Sequence, residues 1–358
     1  MSGPFGLPLL ATPVPLSQAA LDLVTRGIAR LWSRIVAADP RADDRPLLLS
    51  YDVHPTPDGP VLIEVNTNAG GIATALQAAR EINACCVEGE QDALRARLLA
   101  LFRRDLLGAD VASTGVVAIV DDDLASQALL PEMTALAELI GPHAVAVVVV
   151  DAAELQYADG RLRHGATAID RVYWRSTDFL VDEPRHAAIR RAMTEGSTLL
   201  APSPQAYAAI ADKRRFLEWS REPELARDES CSFRIADTLP MSARTPVDWY
   251  AQRAEWVFKP TSGYGSRGVY VGKSISRQKL AELPAEAYLA QRYAPHPVID
   301  RDGHAWKYDI RFYADRGRVI AAAARVFQGQ VVGMRQPGSG FAPVRMGDNC
   351  CMVGALGQ

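Results

Sequence analysis

Glu255–Gly272 reads EWVFKPTSGYGSRGVYVG. A short apolar run, Trp256–Phe258, ends in Lys259. A loop with glycines at 263, 265 and 268 follows, and the β-formers Val269, Tyr270 and Val271 resume at once. Glycines let a backbone approach a ligand and turn its N–H groups toward it without Cβ clashes. A lysine at the end of the first strand adds a point charge beside that loop. Strand, glycine loop and strand with such a lysine suit a β-ribbon laid over a nucleotide's phosphates; a glycine-rich hairpin with no ligand is the plain alternative.

The spacing matches G-x-G-x-x-G, but a dinucleotide fold needs that loop to open a helix, and here a strand follows. A Walker loop, G-x-x-x-x-G-K-[ST], is absent, and no H-R-D or D-F-G of a protein kinase lies downstream. The 358 residues imply two or three domains. A net charge of −3 gives no basic field for nucleic acid or a membrane surface. The basic cluster Lys213-Arg214-Arg215 reads as a solvated helix face or a phosphate contact. Five cysteines, among them the neighbours Cys85-Cys86 and Cys350-Cys351, form no C-x-x-C, which fits a reducing, cytoplasmic compartment rather than zinc or a disulfide framework. The opening MSGPFGLPLLATPVPLS has no positive n-region, and the longest apolar run, Ala144–Val150, is too short to span a bilayer. The sequence leaves a homodimer open.

Ser17 is placed to cap a helix in which Leu21, Val24, Ile28, Leu31 and Ile35 recur at helical spacing. Leu47–Val53 and Pro60–Val65 read as strands joined by the turn residues Pro55, Pro57, Asp58 and Gly59. Glu64 and Asn66 are two apart and share a face, and a hairpin partner can bring Asp52 to it. Three oxygen donors converging there suit magnesium on a phosphate group; a surface hairpin with solvated acids is the alternative. From Thr114 strands and helices alternate: GVVAIVDDD, a helix over Gln127–Ile140, Ala144–Val150, a hairpin over Glu154–Arg163, Ile169–Trp174, a helix over Pro184–Glu195 and Thr198–Leu200. That is a three-layer α/β unit. A helix carrying Asp212 and Lys213 comes next, then a polar connection over Glu222–Thr245. Strands follow at Tyr288–Tyr293, Lys307–Ala314 and Arg318–Phe327, the last two joined at Asp315-Arg316-Gly317.

In KYDIRFYADRGRVIAAAARV, Lys307, Asp309 and Arg311 alternate on one strand face, and the return strand ends in Arg325. Alone, such alternation marks a solvent-facing side. Beside a glycine flap and a carboxylate pair, Arg311 and Arg325 suit bidentate contact with a transferring phosphate and a carboxylate or acyl phosphate.

VFKP with its glycine loop, Lys213 upstream, DIR, Arg325, PGSGFAPV and D…E-V-N-T together resemble the ATP-grasp superfamily. The metal hairpin stands early in the chain, not late, so the order is similar to the circularly permuted type of eukaryotic glutathione synthetase and, more distantly, glutathionylspermidine synthase. IEVNT with paired glycines, VYWRSTDF and an ADK segment carry that likeness over most of residues 46–345. The resemblance implies an α/β (α+β) fold: a permuted ATP-grasp core from residues 1–110, an inserted pre-ATP-grasp-like substrate domain over 111–205, and lid and central sheet over 206–358. It implies an ATP-dependent carboxylate–amine ligase working through an acyl phosphate, with Asp52, Glu64 and Asn66 on Mg2+ (or Mn2+). Lys213, Lys259, Lys307 and Asp309 would serve ATP under the flap Gly263, Tyr264, Gly265, Ser266 and Gly268. Gln291, Arg292, Tyr293 and Ala294 would meet the adenine edge by main-chain bonds. Arg311 and Arg325 would act on the transferred group, and Arg175 would hold a substrate carboxylate, a salt bridge to Asp178 or Asp182 being the alternative. The relative's acidic ligand four residues after the lysine is Gly263 here, so glutathione is not named as product. A small-molecule kinase or a non-catalytic nucleotide-binding module stays open.

Overall fold

The computed structural model describes residues 8–67, 69–75, 77, 87–222, 225, 233–263, 265–334, 336–346 and 349–351. Its central sheet has seven strands, in the order Arg234–Ile235, Gly59–Asn66, Leu48–Thr56, His304–Asp315, Arg318–Phe327 and Gly340–Ala342. Val298–Arg301 pairs with the opening of the His304–Asp315 strand, and Leu48–Thr56 with its later half. Residues from distant parts of the chain therefore form one sheet, with Arg311 opposite Asp52 and Asp309 opposite Arg325.

Period-two alternation sorts the strands' side chains onto two faces. Tyr51, Val53, Ile310, Phe312, Ala324 and Val326 turn one way and bury the Leu21, Val24, Ile28, Leu31 and Ile35 stripe of the Gln18–Ala38 helix. Ser17 caps that helix by accepting from the Ala20 amide, as its position predicts. Asp52, Asp309, Arg311 and Arg325 turn to the other face.

A second, four-stranded sheet is wholly parallel: Leu199–Ala201, Arg171–Trp174, Val116–Asp121, Ala146–Asp151. The Leu130–Ile140 helix shares a core with Val117 and Ile119, and the Ala187–Thr194 helix one with Ala118 and Val120. This is the three-layer unit expected. A third sheet, antiparallel, runs Thr238–Pro240, Tyr288–Arg292, Trp256–Pro260, Tyr270–Val271, around its own core of Trp249, Phe258, Leu280 and Ala290. The glycine loop joins its last two strands. Among the described residues no helix is long and apolar enough to cross a membrane.

Several local expectations shift. The first hairpin strand runs on through Pro55, which faces Pro60, so only residues 57–58 turn. Asp212 and Lys213 lie beyond the helix expected to carry them, at the start of a separate 3-10 turn. The helix is Pro204–Ile210, and Asp212 caps the next turn, Lys213–Arg215, by accepting from the Arg214 amide. Within the expected connection, residues 223–224 and 226–232 lie outside the described residues. Beyond them, Arg234–Ile235 adds a parallel strand beside Val61 and Leu62 that a two-residue run gives no pattern to foretell.

Candidate active site

On the polar face of the central sheet, strand register brings four charges together. Arg311 donates from Nε and Nη2 to the two oxygens of Asp52, each at 2.8 Å. Arg325 donates from Nη2 to Asp52 at 2.9 Å and grips Asp309 through Nε at 2.9 Å and Nη2 at 2.5 Å. Asp52 and Asp309 are wholly buried. Burial alone would raise the Asp52 pKa, but the two guanidinium groups outweigh it and hold the carboxyl well below the usual range. Asn66 turns its amide N–H toward Ser50 at 3.3 Å and Asp52 at 3.5 Å, so Asn66 and Arg325 meet on one Asp52 oxygen.

Opposite this face stand the lysines. Lys213 Nζ donates to the Gly263 carbonyl at 2.7 Å and lies 3.3 Å from Glu64 Oε1, so one ammonium joins the flap to the hairpin acid. Lys259 Nζ donates to the Ile63 carbonyl at 3.2 Å and to Gln291 Oε1 at 2.6 Å. Both acceptors are neutral, and burial pushes the Lys259 pKa down to about 8. In the flap Gly263, Gly265, Ser266 and Gly268 all have positive φ, a conformation that glycine adopts at no steric cost. Tyr264 lies outside the described residues. Lys307 lies on the same strand face as Asp309 but donates to the Gly329 carbonyl at 2.6 Å, toward the surface.

The metal reading divides. Glu64 keeps its carboxylate toward Lys213, and Asn66, whose N–H is used on Asp52, has its carbonyl oxygen left to offer a cation. Both fit a magnesium ion that takes its other ligands from phosphate and water. Asp52 fits poorly, because both its oxygens already accept from arginine. Among the described residues no group of three or more His, Cys, Asp and Glu side chains is placed to hold a metal.

The expected adenine edge also narrows. The Arg292 amide donates to the Asp237 carbonyl and the Tyr293 amide to the Glu255 carbonyl, each at 2.7 Å, so those N–H groups are taken. Arg292's side chain reaches outward to Glu255 at 2.6 Å. Gln291 is buried under the lid and holds Lys259, while the Ala294 carbonyl lies 2.9 Å from His54 Nδ1. Burial lowers the pKa of His54 to about 4 and of His296, which packs against it at a tilt, to about 3, so both rings are neutral at pH 7.

The α/β unit enters the same region through Glu132, a fully buried carboxylate that no local pattern marks. It accepts from the Gly71 and Ala73 amides, each at 3.0 Å. Arg311 and Tyr313 donate to the neighbouring Gly70 carbonyl at 3.2 and 3.0 Å. A Cβ on Gly70 would stand 2.6 Å from Leu129 and 3.2 Å from Arg175 Nη2, so this close approach requires glycine. Arg175 is buried, donates to the Tyr173 hydroxyl at 2.9 Å and lies 3.9 Å from Glu132. Its suggested partner Asp178 is engaged elsewhere. His186 sits between Asp122 and Asp178 at 2.7 Å to each, and Asp178 also takes the amides of Asp182 and Glu183.

The geometry is thus an antiparallel lid with a glycine loop and two lysines, closed over a largely antiparallel sheet carrying acids and arginines. This is the α/β arrangement that the ATP-grasp resemblance implies. No family model matches the chain, and no curated protein sequence does. In fold it is similar, over 92% of its length, to 88% of a protein from Methylobacillus flagellatus KT that carries a provisional gamma-glutamylcysteine synthetase name, at TM-score 0.55 and 11% identity. The ATP-grasp ligase PsnB complexed with a minimal precursor, and the same ligase with precursor, Mg and ADP, align over 65% of this chain at TM-score 0.37 and 16% identity, covering 77% and 76% of those chains. The first likeness speaks for the fold alone; the PsnB alignments are too weak to weigh.

Proposed function

We propose that this chain is an ATP-dependent carboxylate–amine ligase built on a circularly permuted ATP-grasp core, with residues 111–205 as its substrate domain. One observation carries the reading. Lys259 is a part-buried ammonium whose two hydrogen-bond acceptors are neutral oxygens, with Glu64 acting on it only through space. A desolvated cation with no directly paired anion is costly, and a phosphate group arriving there would supply the contact.

In this reading Lys213 and Lys259 hold the ATP phosphates beneath Gly263–Gly268. Glu64 and Asn66 hold the nucleotide's magnesium, which supplies charge neutralisation at the phosphoryl oxygens. Asp52 and Asp309 orient Arg325 and Arg311 instead of binding metal. Arg325 spends Nε and Nη2 on these acids, so Nη1 is its donor for the transferred phosphoryl group. A substrate carboxylate oxygen attacks the γ-phosphorus, the bond to ADP breaks, and an acyl phosphate results. An amine nitrogen then attacks the acyl carbon, inorganic phosphate leaves, and the amine's proton passes to phosphate or water. Arg175, near Gly70 at the edge of the same cleft, would hold the acid's remaining carboxylate.

The test is ADP release across pairs of acids or amino acids with amines, small peptides and polyamines, with hydroxylamine present to trap acyl phosphate. ADP release that needs both partners, and a hydroxamate when hydroxylamine replaces the amine, is the expected result. A stable phosphorylated product formed with no amine would overturn the ligase reading in favour of a kinase.

A further inference from the structure

His54 and His296 have no role in the chemistry above, yet they are the least ordinary pair in the cleft. Their rings pack at a 43° tilt with centroids 4.0 Å apart, and His296 also meets Phe327 edge-on at 5.1 Å. His54 Nε2 and His296 Nδ1 are both buried with no hydrogen-bond partner. An unmet buried polar atom costs about 1–3 kcal/mol, so two side by side call for a ligand that satisfies them.

We infer that His54, with His296 beside it, reads the base of the bound nucleotide and selects an amino group over a carbonyl at its Watson–Crick edge. This rests on the nucleotide reading of the cleft. Location is the first argument. His54 lies two residues along the strand from Asp52, on the same face, and Phe327 lies two residues beyond Arg325. The pair therefore continues the line of the phosphate-facing charges toward Ala294, in electrostatic reach of Lys259 on the lid side and of Asp52 and Asp309 on the sheet side. A base whose phosphates sit at Lys213 and Lys259 would reach in this direction.

The second argument is protonation. The Ala294 carbonyl can only accept, so His54 Nδ1, at 2.9 Å, carries the proton. In the neutral ring Nε2 is then an acceptor. Adenine offers a donor, its 6-amino group, beside the acceptor N1; guanine offers a carbonyl beside an N–H. His296 can answer either edge by changing tautomer, since its Nδ1 is not committed. His54 cannot change without losing Ala294. The discrimination therefore falls to His54.

Calorimetry with ATP, GTP and purine riboside triphosphate, which lacks the 6-amino group, tests this. The wild type should bind purine riboside triphosphate about tenfold more weakly than ATP, and GTP more weakly still, the size expected for one hydrogen bond. His54→Asn keeps an N–H for Ala294 but removes the acceptor. It should weaken ATP about tenfold and leave purine riboside triphosphate within twofold. His54→Gln restores an acceptor at the Nε2 position and should recover most of the preference. An ATP preference that is equal in the wild type and a folded His54→Asn overturns the assignment to His54 while leaving the nucleotide site intact. A wild type that binds purine riboside triphosphate as tightly as ATP does the same without any variant. A wild type that binds none of the three overturns the nucleotide reading and this one with it.

Discussion

The strand-end cluster of the α/β unit and the cluster in the cleft are both built from buried acids and bases, but they are finished to different degrees. In the first, His186 spans Asp122 and Asp178, Ser176 donates to the free side of Asp122 at 2.5 Å, and every partner is internal. In the cleft, Asp52 and Asp309 are fully used by Arg311 and Arg325, while across the gap Lys259 leans on neutral oxygens. A closed cluster fixes loops in place. A cluster with one cation too many is a binding surface with its rigid half already set.

The sharpest way to break this contrast is to open the rigid half. Arg325→Ala leaves Asp52 and Asp309 buried with less compensation, so stability should fall by about 3–5 kcal/mol in urea titration. A loss under about 1 kcal/mol would mean that the acids are not locked as described. Next comes Glu64→Gln, which keeps the shape of the hairpin and removes a charge from the nucleotide's metal. It should lower magnesium-dependent turnover about 100-fold, near 3 kcal/mol, with an unchanged melting temperature; near-normal activity with the same metal dependence would end the metal assignment.

The closed cluster should respond in stability alone. His186→Gln is expected to cost about 1–3 kcal/mol and to leave nucleotide affinity within twofold. Burial works against the His186 proton, but the two carboxylates outweigh it and raise the pKa. The pair's contribution is thus complete below the unfolded pKa and fades as pH rises through the higher folded value. A wild-type stability that climbs over that range, relative to the variant, contradicts the arrangement. The smallest effect belongs to Lys259. Its pKa is lowered to about 8, so its charge is lost above that pH, sooner than for an ordinary lysine. ATP affinity should fall by up to about tenfold per pH unit above 8, and Lys259→Arg should flatten the profile. For stability the sign is opposite: the unfolded chain holds more protons than the folded one above pH 8, so stability rises there.

What the sequence made legible was whatever two or three neighbouring residues determine. A glycine loop between β-formers, Lys259 at a strand end, Glu64 and Asn66 on one face and the Asp309–Arg311 alternation all follow from periods of two and from φ preferences. The assignments that shifted depend on strands far apart. Asp52 reads as a metal ligand until Arg311 and Arg325 are laid beside it by register. The Arg292 and Tyr293 amides look available until Asp237 and Glu255 are seen to take them. Glu132 and the His54–His296 pair leave no local trace, because a carboxylate on a helix and a histidine before a proline look the same whether or not a distant glycine or carbonyl is waiting.

The bond between Arg311 and Asp52 joins residues 259 positions apart. On the ribosome, at roughly 5–20 residues per second, the early hairpin would emerge on the order of tens of seconds before its partner strand exists. During that interval the edge of Leu48–Thr56 has no neighbour, and unpaired edges invite other chains. The parallel α/β unit, whose strand pairings all fall between residues 116 and 201, can form while the hairpin waits. A nascent chain of this order has reason to engage a holding chaperone until the Arg311 strand arrives, and a pulse-labelled chain released before that strand should aggregate where the full chain does not.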